Sequence, residues 1–151
     1  MCINDWNNGT NQLNREETMD IQKNISSIYR KMTVAINTSL TILGLSSAKA
    51  MFLFCLYDHE QMTQVEICRE LNMDKSTVAK MLVRMENDGL VSKKIHPADV
   101  RAIQVSLTEK AVALVPQARR IQQECLDQIT EGLTNREKRD FMELIDKVAS
   151  Y

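Results

Sequence analysis

Between Thr63 and Leu107 the apolar residues of this chain change period once, at Gly89. Before Gly89 they recur every three or four positions, and after it every second position. The first spacing places side chains on one face of a helix and the second on one face of a strand. In "MTQVEICREL" Thr63 is positioned as an N-cap, with Glu66 answering three residues later, and Val65, Ile67, Cys68 and Leu71 form the inward side. The tripeptide "NMD" is a turn, and Asp74 caps the next helix, whose inward face is Val78, Met81, Leu82 and Met85. Gly89 is a natural C-terminal stop. "LVSKKI" and "AIQVSL" then read as two short strands joined by "HPADVR", where Pro97 and Asp99 favour a turn.

Long helices are expected on both sides of this segment. Residues 1 to about 13, rich in Asn, read as a flexible arm, and "NREE" at Asn14 to Glu17 has the form of a capping box. Ile21, Ile25, Ile28, Met32, Ile36, Leu40 and Leu43 make one apolar stripe that ends at Gly44. "SSAKAMFLFCLYDH" follows as a buried helix capped by Ser46 or Ser47. Thr108 caps a second long helix, striped by Ala111, Leu114, Ala118, Ile121, Cys125 and Ile129. Pro116 inside it predicts a kink or break. A last helix begins with the Thr134 and Glu137 capping box and carries Phe141, Leu144, Ile145 and Val148 on one side.

These elements define a mainly α (α+β) chain organised as an arm (1–13), a long helix (14–44), a mixed lobe (45–108) and C-terminal helices (109–151). With 44% hydrophobic and 26% charged residues the composition is that of a water-soluble globular protein. No apolar run reaches the ~18 residues of a membrane span, and the N-terminus lacks the basic and apolar regions of a secretory signal, so a cytoplasmic location with no membrane partner is expected. Enzyme chemistry has no foothold. There is no Ser/His/Asp or Cys/His set, no phosphate-cradling glycine loop and no zinc-ligand spacing, with two His in the whole chain. No metal or cofactor is implied.

Helix, three-residue turn, helix and two-stranded hairpin is the order of a winged helix-turn-helix, in which the second helix enters the major groove of DNA and the hairpin, or wing, reaches the neighbouring minor groove or phosphates. The residue types suit this. Ser76, Lys80, Arg84 and Asn87 share the face opposite Val78, Leu82 and Met85, while Lys75, Ser76 and Thr77 occupy the first turn, where helical N–H groups favour a phosphate. Overall charge is −1, yet residues 75–101 hold six basic and three acidic side chains, a local surplus of +3 against −4 for the remainder. The candidate DNA contacts are Lys75, Ser76, Thr77, Lys80, Arg84, Lys93, Lys94 and Arg101. Asp99 is expected to shape the wing, since a carboxylate facing phosphate is repelled. Lys93 and Lys94 alternate across their strand, so one of them points to the phosphate backbone.

At "LSSAKAMFLFCL", "MTQVEICREL", "MDKSTVAKMLVRMENDGLV" and "DVRAIQVSLTEK" the chain resembles the MarR (multiple antibiotic resistance regulator) family of transcription factors. The family's Asp-x-Arg of the wing is Asp99-Val100-Arg101, and its Leu-Thr-x-x-Gly is Leu107-Thr108-Glu109-Lys110-Ala111, with Ala in place of Gly. Val100 stands where a second Arg is common. The resemblance implies an obligate homodimer built from the terminal helices, two lobes reading a pseudo-palindromic operator, and repression relieved by a small, often aromatic or phenolic, effector or by a stress signal. A winged-helix protein-interaction module that does not bind DNA is the competing expectation. Cys55 and Cys68 read as core thiols and Cys125 falls on a dimer helix, with Cys2 and Cys68 as candidate redox positions. His59 reads as a solvated loop residue and His96 as part of the wing turn.

Overall fold

The computed structural model describes residues 15–150, with side chains from Thr18 onward, which leaves the arm and the Asn14–Glu17 capping box outside the described residues. The order is α1 (Arg15–Leu40), α2 (Ser47–His59), β1 (Gln61–Thr63), α3 (Gln64–Glu70), α4 (Lys75–Asn87), β2 (Val91–His96), β3 (Asp99–Leu107), α5 (Glu109–Ile129) and α6 (Asn135–Ala149). A 3-10 turn at Thr41–Leu43 ends α1 at Gly44, whose φ of 68° is the left-handed conformation glycine adopts without strain.

Side-chain caps set most of these boundaries. Ser46 accepts from the Lys49 N–H, Asp74 from Thr77 and Thr108 from Ala111, while Thr63/Glu66 and Thr134/Glu137 form reciprocal capping boxes. Of the two serines considered for α2, Ser46 holds the cap. Glu66 and Glu137 sit below the usual carboxylate range because they accept from the backbone N–H and hydroxyl of their threonines.

The core joins α1, α2 and α5 to the winged lobe through Leu40, Phe52, Leu53, Leu56, Ile67, Val78, Met85, Val105 and Val115, all essentially solvent-free. Phe52 is the largest. Its truncation to alanine would leave a cavity at the junction, a change that typically removes about 3–5 kcal/mol.

The structure departs from the sequence reading in several places. The sheet has three strands in the order β1-β3-β2, because Gln61–Thr63 pairs antiparallel with Gln104–Ser106. Three residues with one buried side chain, Met62, carry too little alternation to announce a strand. Val65 is 49% exposed. The seven-residue α3 seats Ile67 fully and Cys68 and Leu71 partly, leaving no inward place for Val65. Of the kink or break expected at Pro116, the break does not occur, and helix α5 continues through it. The missing N–H deprives the Val112 carbonyl of its helical donor, but both residues lie on the exposed face, where water can replace it. His59 is the last residue of α2, not a loop residue, and its Nδ1 lies 2.9 Å from the Cys55 carbonyl.

The apolar stripe of α1 is buried only at its C-terminal end. Ile36 and Leu40 pack within the protomer, whereas Ile21, Ile25 and Ile28 face outward, as do Leu144, Ile145 and Val148 of α6. No single helix among the described residues is long and apolar enough to cross a membrane.

Candidate nucleic-acid interface

Helix α4 is clamped at both ends. At its start Asp74 Oδ1 accepts from the Thr77 N–H (2.9 Å) and Oδ2 from the Thr77 hydroxyl (2.5 Å). These bonds hold the Asp74 carboxyl below its ordinary range. The cap is therefore complete at neutral pH and is lost only as pH falls through that lowered value. Gln64 Nε2 donates to the Lys75 carbonyl (2.9 Å), tying the first turn of α4 to α3. The intervening turn places Asn72 at φ 50°, a left-handed conformation that asparagine tolerates better than most residues. At the far end, Gly89 (φ 70°) reverses the chain, and its carbonyl accepts from the Thr108 hydroxyl at 2.7 Å. Lys49 pairs with Asp88 at 2.6 Å, and Lys110 Nζ donates to the Asp88 carbonyl at 2.8 Å.

Val78, Leu82 and Met85 anchor α4 in the core, so Lys75, Ser76, Lys80 and Arg84 all stand in solvent. From Ser76 to Arg84 this row covers about 12 Å of helix axis. Thr77 is also exposed, but its hydroxyl proton is committed to Asp74.

In the wing, Asp99 Oδ1 accepts from the Arg101 N–H at 2.9 Å and His96 Nδ1 from the Ala98 N–H at 3.2 Å, which fixes the tip on either side of Pro97. Arg101 and Lys94 extend into solvent. Lys93 behaves differently. It lies on the opposite strand face from Lys94, and its ammonium meets Glu86 of α4 at 2.6 Å.

The charges therefore sort by sign. Asp74, Glu86, Asp88 and Asp99 are each engaged by a donor within the lobe. Among the described residues no acidic group lies within ion-pair distance of Lys75, Lys80, Arg84, Lys94 or Arg101. The result is a helix and a hairpin that present free cations together.

Gln64, Lys49, Glu86 and Lys110, which hold α4 and the wing in place, were not singled out from the sequence. Each acts across ten or so residues or more, or between elements, and carries no local signature. Of the cysteines, Cys55 is buried, with its sulfur 3.5 Å from that of Met62, and its thiol is pushed up to about 11, first by burial and then by Glu70 and Asp58. It remains protonated at neutral pH and is a poor nucleophile. Cys125 is buried beside Ser39, Cys68 is half-buried, and Cys2 lies outside the described residues.

The model of the MarR family matches residues 45–103, from the N-terminal flank of α2 to the middle of β3, and so spans α4, the clamp at its start and the tip of the wing. A crystal structure of a mutant MarR from E. coli complexed with operator DNA superposes with a TM-score of 0.81 at 25% identity, covering 88% of this chain and 96% of that one. Over residues 45–103 the chain is similar to the MarR family. A MarR transcriptional regulator from Methanosarcina mazei Go1 also superposes on this chain with a TM-score of 0.81, at 26% identity over 87% of it and 95% of the other chain. The organic hydroperoxide resistance transcriptional regulator of Bacillus subtilis is 33% identical over 89 residues, which is 59% of this chain and 60% of that regulator's length. The transcriptional repressor YetL of the same organism is 24% identical over 130 residues, 85% of this chain and 78% of that one.

Proposed function

We propose that this protein is a homodimeric, sequence-specific DNA-binding transcriptional regulator, a cytoplasmic repressor whose hold on its operator is relieved by a small ligand or a stress signal. The observation that carries the reading is the row of unpaired cations on α4 and the wing, set on a helix clamped at both ends. In this reading Lys80 and Arg84 reach base edges, Ser76 and Lys75 meet phosphates at the helix start, and Arg101 and Lys94 hold the adjoining minor groove or backbone. Thr77 serves mainly as the partner of the Asp74 cap.

Dimerisation is supported by what the protomer leaves uncovered. Ile21, Ile25 and Ile28 on α1 and Leu144, Ile145 and Val148 on α6 would face solvent in a monomer. Burying such stripes yields about 25 cal/mol per Å2 of apolar surface, enough for a few side chains from each helix to hold two chains together. A two-fold pair sets its recognition helices about 34 Å apart, one turn of DNA.

A cleft of about 560 Å3 between α1, α2, α5 and α6 is the candidate effector site, lined by Met32, Ile36, Phe54, Arg119, Leu126 and Met142 among others. Arg119 is paired with Asp58, and its guanidinium lies 5.6 Å from the Phe54 ring centre and 5.5 Å from that of Tyr57. Apolar walls with a few polar groups, here Asp58, Arg119, Gln122 and Gln123, suit a small aromatic or phenolic molecule.

Selection of bound sequences from random duplex DNA tests this function. The expected product is an inverted repeat with half-site centres about 10 base pairs apart. Added phenolics or a thiol oxidant should reduce recovery if one of them is the signal. Recovery of no shared sequence would reject sequence-specific binding.

A further inference from the structure

Lys93 and Glu86 raise a question that groove contacts leave open. Glu86 lies in the last turn of α4, where the negative end of the helix dipole disfavours a carboxylate, and close to a surface meant for a polyanion. Its partner Lys93 comes from β2 and is drawn inward, with a side chain 23% exposed against 45% for Glu86. Cross-strand pairing sets Lys93 opposite the buried Val105, on the sheet face turned toward the helices. Beside the pair the contact is open. Ala79, Leu82 and Val83 of α4 and Lys93, Ile103 and Val105 of the sheet border a gap of about 220 Å3. Apolar packing is thus incomplete where the wing leaves the helix, and the ion pair spans that interval.

We propose that Glu86–Lys93 is a strut that sets the angle between the recognition helix and the wing, so that both meet DNA at once. Lys93 is then a positioning residue and not a phosphate contact, and Glu86 assists binding despite its charge. This inference rests on the DNA-binding reading above. The sign of the Glu86 effect separates it from a simpler account. If Glu86 were a bystander near phosphate, neutralising it would tighten binding by removing repulsion. As a strut, its neutralisation loosens the wing and weakens binding, even though Gln is no worse than Glu for the end of the helix.

The test measures affinity of the full chain for a duplex carrying its most enriched selected site, and for an unrelated duplex, across a range of salt. Glu86→Gln and Lys93→Gln should each weaken specific binding about three- to tenfold. The double variant should be no weaker than either single one, and the exchanged pair Glu86→Lys with Lys93→Glu should return to within about twofold of the parent. Unchanged helical circular dichroism in Glu86→Gln would assign the loss to geometry and not to unfolding. The strut is overturned if Glu86→Gln binds as well as the parent or better. It is also overturned if only Lys93→Gln weakens binding and lowers the salt slope by about 1, the mark of a lost phosphate contact. Failure of the parent to bind either duplex would instead reject the DNA-binding function itself.

Discussion

Alanine in place of Arg101 is expected to weaken the complex with duplex DNA by about 1–3 kcal/mol for each half-site contacted, roughly five- to 150-fold. The protomer should be unaffected, because the Arg101 side chain is exposed and without an ion pair among the described residues, and the wing turn uses only its backbone N–H. Nothing nearby can substitute for it. Val100, at the position where the family often carries another arginine, is almost fully exposed and uncharged. Lys94 lies further down the partner strand, opposite Gln104. Fluorescence anisotropy at fixed salt, with thermal unfolding as the control, measures the effect. Undiminished affinity would remove Arg101 from the interface.

A second large effect is expected far from the DNA surface. Leu144 and Val148 are 60% and 74% exposed in the protomer. If α6 were truly a solvated helix, Leu144→Asp together with Val148→Asp would change stability by no more than about ±0.5 kcal/mol each, as surface substitutions do. If α6 meets a second copy, two carboxylates are forced into an apolar contact at a penalty of several kcal/mol. Sedimentation at micromolar concentration should then show loss of the dimer, with DNA affinity falling because the two half-sites are no longer read together. A dimer that survives both aspartates would exclude α6 from the interface.

How much of this was legible in the sequence depended on the range over which each signal acts. Caps speak over three residues, so Thr63, Asp74, Thr108 and Thr134 marked helix starts that the structure reproduces. Gly89 likewise announced the end of α4, because a positive φ is what glycine permits. The free cations of α4 were visible as a helical face. What was not legible depends on partners distant in sequence. Strand β1 exists because β3 offers an edge more than 40 residues later. Alternation alone could not decide between Lys93 and Lys94, which Glu86 distinguishes by drawing in one of them. The cleft around Arg119 draws on four helices and no local motif. Pro116 does not break α5 for a related reason: propensity describes an isolated helix, whereas packing of Ala111, Val115 and Ala118 on the core holds α5 together around it.

Helix α4 and the wing, doubled by a two-fold axis, are expected to neutralise phosphates on duplex DNA. The salt dependence of duplex affinity tests it most directly. For about six phosphates neutralised per dimer, the logarithm of the association constant should fall against the logarithm of salt concentration with a slope of about −5. A slope near zero, or no binding even in dilute buffer, would contradict it.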